Sequence, residues 1–135
     1  LPGRLGIYQR LAKLAHLADV DQMEEELRDR FGPLPWQAQN LLYVVRLRLL
    51  AQRAGIASIS RKSERVVLQL EDEVGGAKRA LERALGPSVE IGNEQIRLDL
   101  RRLSDDWEAA LVDTVAKLAD FRERLGAEAQ AALVT

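Results

Sequence analysis

The sequence predicts an α+β fold in which an N-terminal three-helix segment packs beside a small four-stranded sheet with two further helices. Three observations lead there. Apolar residues recur at three- and four-residue steps through the first 55 positions, the period of amphipathic helices. After Gly55 the pattern changes to short runs rich in β-branched residues. Finally, Ile96, Leu98 and Leu100 alternate with Arg97, Asp99 and Arg101 beyond a Gly92-Asn93 turn, the period-2 signature of a half-buried strand.

The elements follow in order. Leu5, Tyr8, Leu11, Ala12 and Ala15 form the stripe of a first helix. Asp19 is expected to cap a second helix, with Gln22 three residues on as its capping-box partner. Val20, Met23, Leu27 and Phe31 share one face of that helix, and Gln22, Glu25, Glu26 and Asp29 the opposite one. Gly32 can take the left-handed conformation that ends a helix, and Pro35 has the fixed φ that suits a first helical turn. A third helix, from about Pro35 to Gln52, has apolar residues around most of its circumference and reads as central and buried.

Ile56 to Ser60 and Arg65 to Leu70 read as a hairpin turned at Lys62-Ser63-Glu64. Val74 to Leu85 reads as a helix stopped by Gly86-Pro87. Val89-Glu90-Ile91 and the alternating run after Gly92-Asn93 make a second hairpin. Ser104, with Asp105 and Asp106 behind it, is expected to cap a last helix. The expected core comprises Leu27, Phe31, Leu42, Val45, Leu49, Val67, Leu98, Trp107 and Leu111. With no linker between the halves, 1–126 reads as one domain and 127–135 as a frayed tail.

Composition narrows the function. The 135 residues are 47% apolar and 30% charged, a globular balance. Twenty Lys and Arg against 21 Asp and Glu give a formal net charge of −1, which provides no global attraction for nucleic acid. There is no cysteine and hence no disulfide or thiolate metal site. No apolar run approaches the roughly 18 residues of a membrane span. The chain does not begin with Met, and it reads as a fragment of a longer protein.

No catalytic constellation emerges. His16 is the only histidine, and its neighbours Asp19 and Asp21 do not make a ligand pattern. Gly75-Gly76 could expose backbone N–H groups to an anion, but no phosphate-loop Lys-Ser/Thr follows. Glu71-Asp72-Glu73 reads as a solvated loop rather than an acid-base pair. Arg46 with Arg53, Arg61-Lys62 with Arg65, and Arg101-Arg102 could meet a nucleic acid only if folding gathered them. The acidic face of the second helix has two readings: an ordinary solvent face paired at i,i+4 with Arg28 and Arg30, or a docking surface for a basic partner.

Particular strings reach further. Arg4-Leu5-Gly6-Ile7-Tyr8-Gln9-Arg10-Leu11-Ala12, then Asp29-Arg30-Phe31-Gly32-Pro33-Leu34-Pro35, then Asn40-Leu41-Leu42, and Ala51 through Ala54-Gly55-Ile56, resemble the C-terminal domain of bacterial transcription-repair coupling factor. The second half is similar in pattern alone. The resemblance implies a non-catalytic, autoregulatory domain of a cytoplasmic DNA translocase of the helicase superfamily. Its parent would use ATP and magnesium, engage duplex DNA and stalled RNA polymerase, and recruit the repair protein UvrA. This domain, with no cofactor of its own and as a monomer, would dock on the parent's N-terminal UvrA-binding module and mask it. By the resemblance the contact falls on Glu26 and Asp29, with Glu25 beside them; Arg30, Phe31, Gly32, Pro33 and Pro35 would be architecture, with Phe31 in the core. An accessory nucleic-acid-binding domain is the alternative.

Overall fold

A computed structural model describes residues 4–103 and 105–134. Among the described residues, five α-helices and one four-stranded antiparallel sheet make an α+β fold. The chain forms two compact units, Leu1–Leu50 and Ala51–Thr135.

The first unit contains α1 (Arg4–Ala12), α2 (Leu17–Phe31) and most of α3 (Trp36–Ala54). Its core joins Leu11 of α1 to Val20, Met23 and Leu27 of α2, and to Ala38, Leu42, Val45 and Leu49 of α3. These are the positions that helical periodicity selects, and burying each large aliphatic side chain contributes about 1.5–3 kcal/mol. Arg48 donates to the carbonyls of Ala12 and Leu14 at 3.0 Å each, satisfying acceptors left open where α1 stops.

Three expectations need correction in this unit. His16, rather than Asp19, occupies the N-cap of α2, without a side-chain cap bond, and Asp19 lies in the first turn. Phe31 is 44% exposed. It is the last residue of α2, where Gly32 turns the chain away, and the buried Leu34 follows in the core instead. α3 is amphipathic rather than buried all round: Trp36 and Val44 on it are exposed.

In the second unit β1 (Ile56–Lys62), β2 (Arg65–Leu70), β3 (Val89–Ile91) and β4 (Gln95–Asp99) are ordered β1-β2-β4-β3. Lys62 pairs with Arg65, so the first turn is Ser63-Glu64, with Ser63 at φ 57. Val66 and Leu68 pair with Leu98 and Ile96, and all four are buried. Val67 was expected there and points to the other face. The unbroken apolar run Val66-Val67-Leu68 conceals its phase, which cross-strand pairing sets.

The expected helix from Val74 divides into a 3₁₀ turn, Gly75–Ala77, and α4 (Lys78–Leu85), which buries Leu81 and Leu85. α4 packs on β3 and on α5 (Trp107–Val134). Leu111, Val115, Leu118 and Ala119 of α5 are buried. Trp107 is only half-buried, with the Arg61 guanidinium 5.0 Å from its ring centroid. Ser104, the expected cap, lies outside the described residues. The stretch expected to fray from 127 continues as helix to Val134, exposed through 133; its alanines favour helix, and after Gly126 no Gly or Pro interrupts it.

Candidate docking face

α2 holds six acidic residues, and the fold divides them. Arg46 reaches from α3 to grip Asp21 at 2.8 Å and Glu24 at 3.0 Å. Partial burial works against the charge of Arg46, yet its hydrogen bonds to Asp21 and Glu24 outweigh that and hold its pKa above the usual value. Glu24 also meets Arg28 at 3.4 Å, the i,i+4 pair of the helix. The two carboxylates on this side are therefore engaged within the molecule. Twenty-two residues separate Glu24 from Arg46, so no local spacing in the sequence announces the clamp.

Glu25, Glu26 and Asp29 are all exposed, as the sequence projected. None makes an ion pair or a side-chain hydrogen bond among the described residues. The i,i+4 pairing of Glu26 with Arg30, which the solvent-face reading called for, is not formed; the Arg30 guanidinium lies 5.5 Å from the Phe31 ring instead. Glu25 and Asp29 are four residues apart and Glu26 and Asp29 three, so these carboxylates are neighbours on the helix surface. Like charges so placed cost a few tenths of a kcal/mol. Asp29, in the last turn, also meets the negative end of the helix dipole. Local stability would favour basic residues here.

The corner after this face is fixed by backbone geometry. Gly32, at φ 75 and ψ −152, donates its N–H to the Arg28 carbonyl at 2.8 Å, a backbone conformation essentially confined to glycine that costs a residue with a Cβ about 1–3 kcal/mol. Gln39 closes the entry to α3: its side-chain amide donates to the Leu34 carbonyl at 2.9 Å and its backbone N–H to that of Pro35 at 3.1 Å. Pro33 and Pro35 are exposed. Phe31 borders a shallow apolar groove of about 40 Å³ with Ile7, Tyr8, Leu34 and Ala38, and Trp36 beyond the corner is 71% exposed.

Several of the other candidates are used internally. Gly75 N–H donates to the Asn93 side chain at 3.0 Å and Val74 N–H to the Asn93 carbonyl at 2.8 Å, so Asn93 fills the place where an anion would sit. Asp72 pairs with Arg122 at 3.2 Å. Arg53 pairs with Glu123, and Arg101 with Glu64 and Asp99. Among the described residues, no group of three or more His, Asp and Glu is arranged to hold a metal ion, and no helix is long and apolar enough to cross a membrane.

Known proteins similar to this chain agree on one family. The TRCF domain family matches residues 2–79. The chain is 33% identical over 70 residues to the transcription-repair-coupling factor of Helicobacter pylori strain J99, which covers 52% of this chain and 7% of that protein. It is 41% identical over 56 residues to the Haemophilus influenzae factor, covering 42% of this chain and 5% of that protein. The chain thus spans a small fraction of the length of these curated relatives. A solved crystal structure of the C-terminal domain of transcription-repair coupling factor superposes with a TM-score of 0.72 at 18% identity, over 92% of this chain and 83% of that one. That likeness concerns the fold. With that family matched over more than half its length, the chain belongs to the TRCF domain family.

Proposed function

We propose that this chain is a non-catalytic, autoregulatory domain of a transcription-coupled repair translocase. It docks through Glu25, Glu26 and Asp29 on the parent's N-terminal UvrA-binding module, hiding it until stalled RNA polymerase is engaged. ATP, magnesium, duplex DNA and UvrA belong in this reading to other parts of the parent. The observation that carries it is the cluster of three exposed, uncompensated carboxylates on α2, kept at a local electrostatic disadvantage. Sites that violate local preferences without structural gain are where function is expected.

The energetics suit a switch. Exposed ion pairs contribute about 0–1 kcal/mol each, so between separate molecules the contact is weak but open to titration. Tethering within one chain raises the effective concentration toward the millimolar range, so a few such pairs can hold a closed state that remains reversible. Electrostatic complementarity then selects the partner more than it sets the affinity.

The experiment is a titration of this chain against the isolated N-terminal module, with wild type and with Glu26→Lys plus Asp29→Lys. The double reversal should leave the fold intact or a few tenths of a kcal/mol more stable, because it places cations near the C-terminal end of α2. It should weaken binding at least tenfold and, in the full-length parent, strengthen UvrA binding without polymerase. Unchanged affinity of a folded double variant would sink the docking face. Nucleotide hydrolysis by the wild-type chain would sink the non-catalytic reading.

A further inference from the structure

A cleft of about 490 Å³ lies in the second unit, far in sequence from the acidic helix. Four cations line it from separate places: Arg65 at the start of β2, Lys78 at the start of α4, Arg97 in β4 and Arg102 beyond β4. Arg65, Lys78 and Arg102 are exposed and Arg97 is partly buried. Arg65 and Lys78 have no ion pair among the described residues. Arg102 has only a 3.9 Å approach to Asp99, a carboxylate already bonded by the Arg101 backbone N–H and guanidinium.

Glu90 reports the potential inside the cleft. Its carboxylate forms an ion pair with Arg97 at 3.2 Å. The Arg97 hydrogen bond first, with the charges of Arg97, Arg65 and Arg102 behind it, holds the Glu90 pKa below the ordinary glutamate value. Three guanidinium groups from three places in the chain therefore act on one exposed carboxylate. Glu90 is a tethered anion resting where the positive field converges.

We propose that this cleft is a binding site for a compact, doubly charged anion of the phosphate-monoester class, with Glu90 as its built-in placeholder. The volume lies within the usual range for small-molecule sites. Arginine and lysine are the side chains that recognise phosphate oxygens. Glu82, Glu90 and Asp99 on the cleft wall oppose an extended polyanion, which would have to pass close to all three carboxylates. That geometry favours a small anion over a nucleic-acid strand.

The test is calorimetric titration of the chain with inorganic phosphate and with glycerol phosphate, repeated for Glu90→Gln, Arg65→Gln and Lys78→Gln, with circular dichroism to confirm folding. Saturable one-to-one binding is expected, tightened at least threefold in E90Q and weakened at least fivefold in R65Q and K78Q. Arg65 and Lys78 are exposed, so their neutral variants should fold. Failure to bind in both wild type and E90Q would overturn the proposal. So would equal binding by wild type, R65Q and K78Q, which marks nonspecific ionic attraction. A duplex oligonucleotide that binds, and is lost in the same variants while the phosphate probes do not bind, would reassign the cleft to a polyanion and equally overturn it.

Discussion

Removing Arg46 should release α2 from α3 by a measurable and limited amount. Its guanidinium and Glu24 are each 27% exposed, whereas Asp21 is 70% exposed. Hydrogen bonds to charged groups contribute about 1.5–3 kcal/mol when sheltered, and exposed ion pairs about 0–1 kcal/mol. The Glu24 contact lies between these limits, and Asp21 adds only tenths. Arg46→Met, which keeps the apolar stem, should therefore cost about 1–2 kcal/mol. A urea titration followed by circular dichroism reads this as a midpoint lowered by about 0.5–1 M at a slope of about 2 kcal/mol/M, the middle of the usual range for small proteins. The cycle with Glu24→Gln isolates the pair and should give a coupling of about 1 kcal/mol. Arg46→Lys should recover only part of the loss, because an ammonium lacks the fork that reaches two carboxylates. A coupling within about 0.3 kcal/mol of zero would show that the clamp is a surface contact without structural consequence, and the division of acids on α2 would lose its basis.

Two further outcomes test the packing. Phe31→Ala should cost about 1–2 kcal/mol, below the roughly 3–5 kcal/mol of a buried ring, because the side chain is 44% exposed; Leu42→Ala, at 1% exposure, should cost about 2–5 kcal/mol in the same denaturation assay, and a reversed ranking would refute the placement of Phe31 outside the core. Gly55→Ala should cost about 1–2 kcal/mol, since Gly55 lies at φ +70 with the Arg122 guanidinium against the space a Cβ would need; an unchanged melting temperature would refute that conformation.

The sequence disclosed what local periodicity controls. Helices with a single apolar face, such as α2, were legible down to Val20, Met23 and Leu27, and the acids opposite them are exposed as projected. Legibility failed where neighbours decide. Val67 and Val66 are chemically identical, and only pairing with β4 chooses which one faces inward. Phe31 continues the stripe of α2 on paper, but the turn at Gly32 passes its place in the core to Leu34. The Arg46 clamp and the cation cleft were illegible because each joins residues far apart in the chain. The run of basic residues at Arg61, Lys62 and Arg65 looked like one patch, yet Arg61 turns to Trp107 and Arg65 to the cleft.

The clamp also gives the docking reading its sharpest constraint. Were all six acids of α2 unpaired, the helix would present a diffuse negative surface that any basic molecule could approach. Arg46 and Arg28 remove Asp21 and Glu24 from that surface, leaving Asp19 apart in the first turn and a compact patch at Glu25, Glu26 and Asp29. A partner must then match a short helical spacing, with cations placed about one helical turn apart, rather than a total charge. Arg46→Met, which frees Asp21 and leaves Glu24 with Arg28 alone, should accordingly increase the salt sensitivity of binding to a basic partner while eroding discrimination among basic partners. A partner that responds to the Lys reversal at Glu26 and Asp29 but ignores the Arg46 variant would be reading the patch; one that tightens in proportion to the freed charge would be reading only the field.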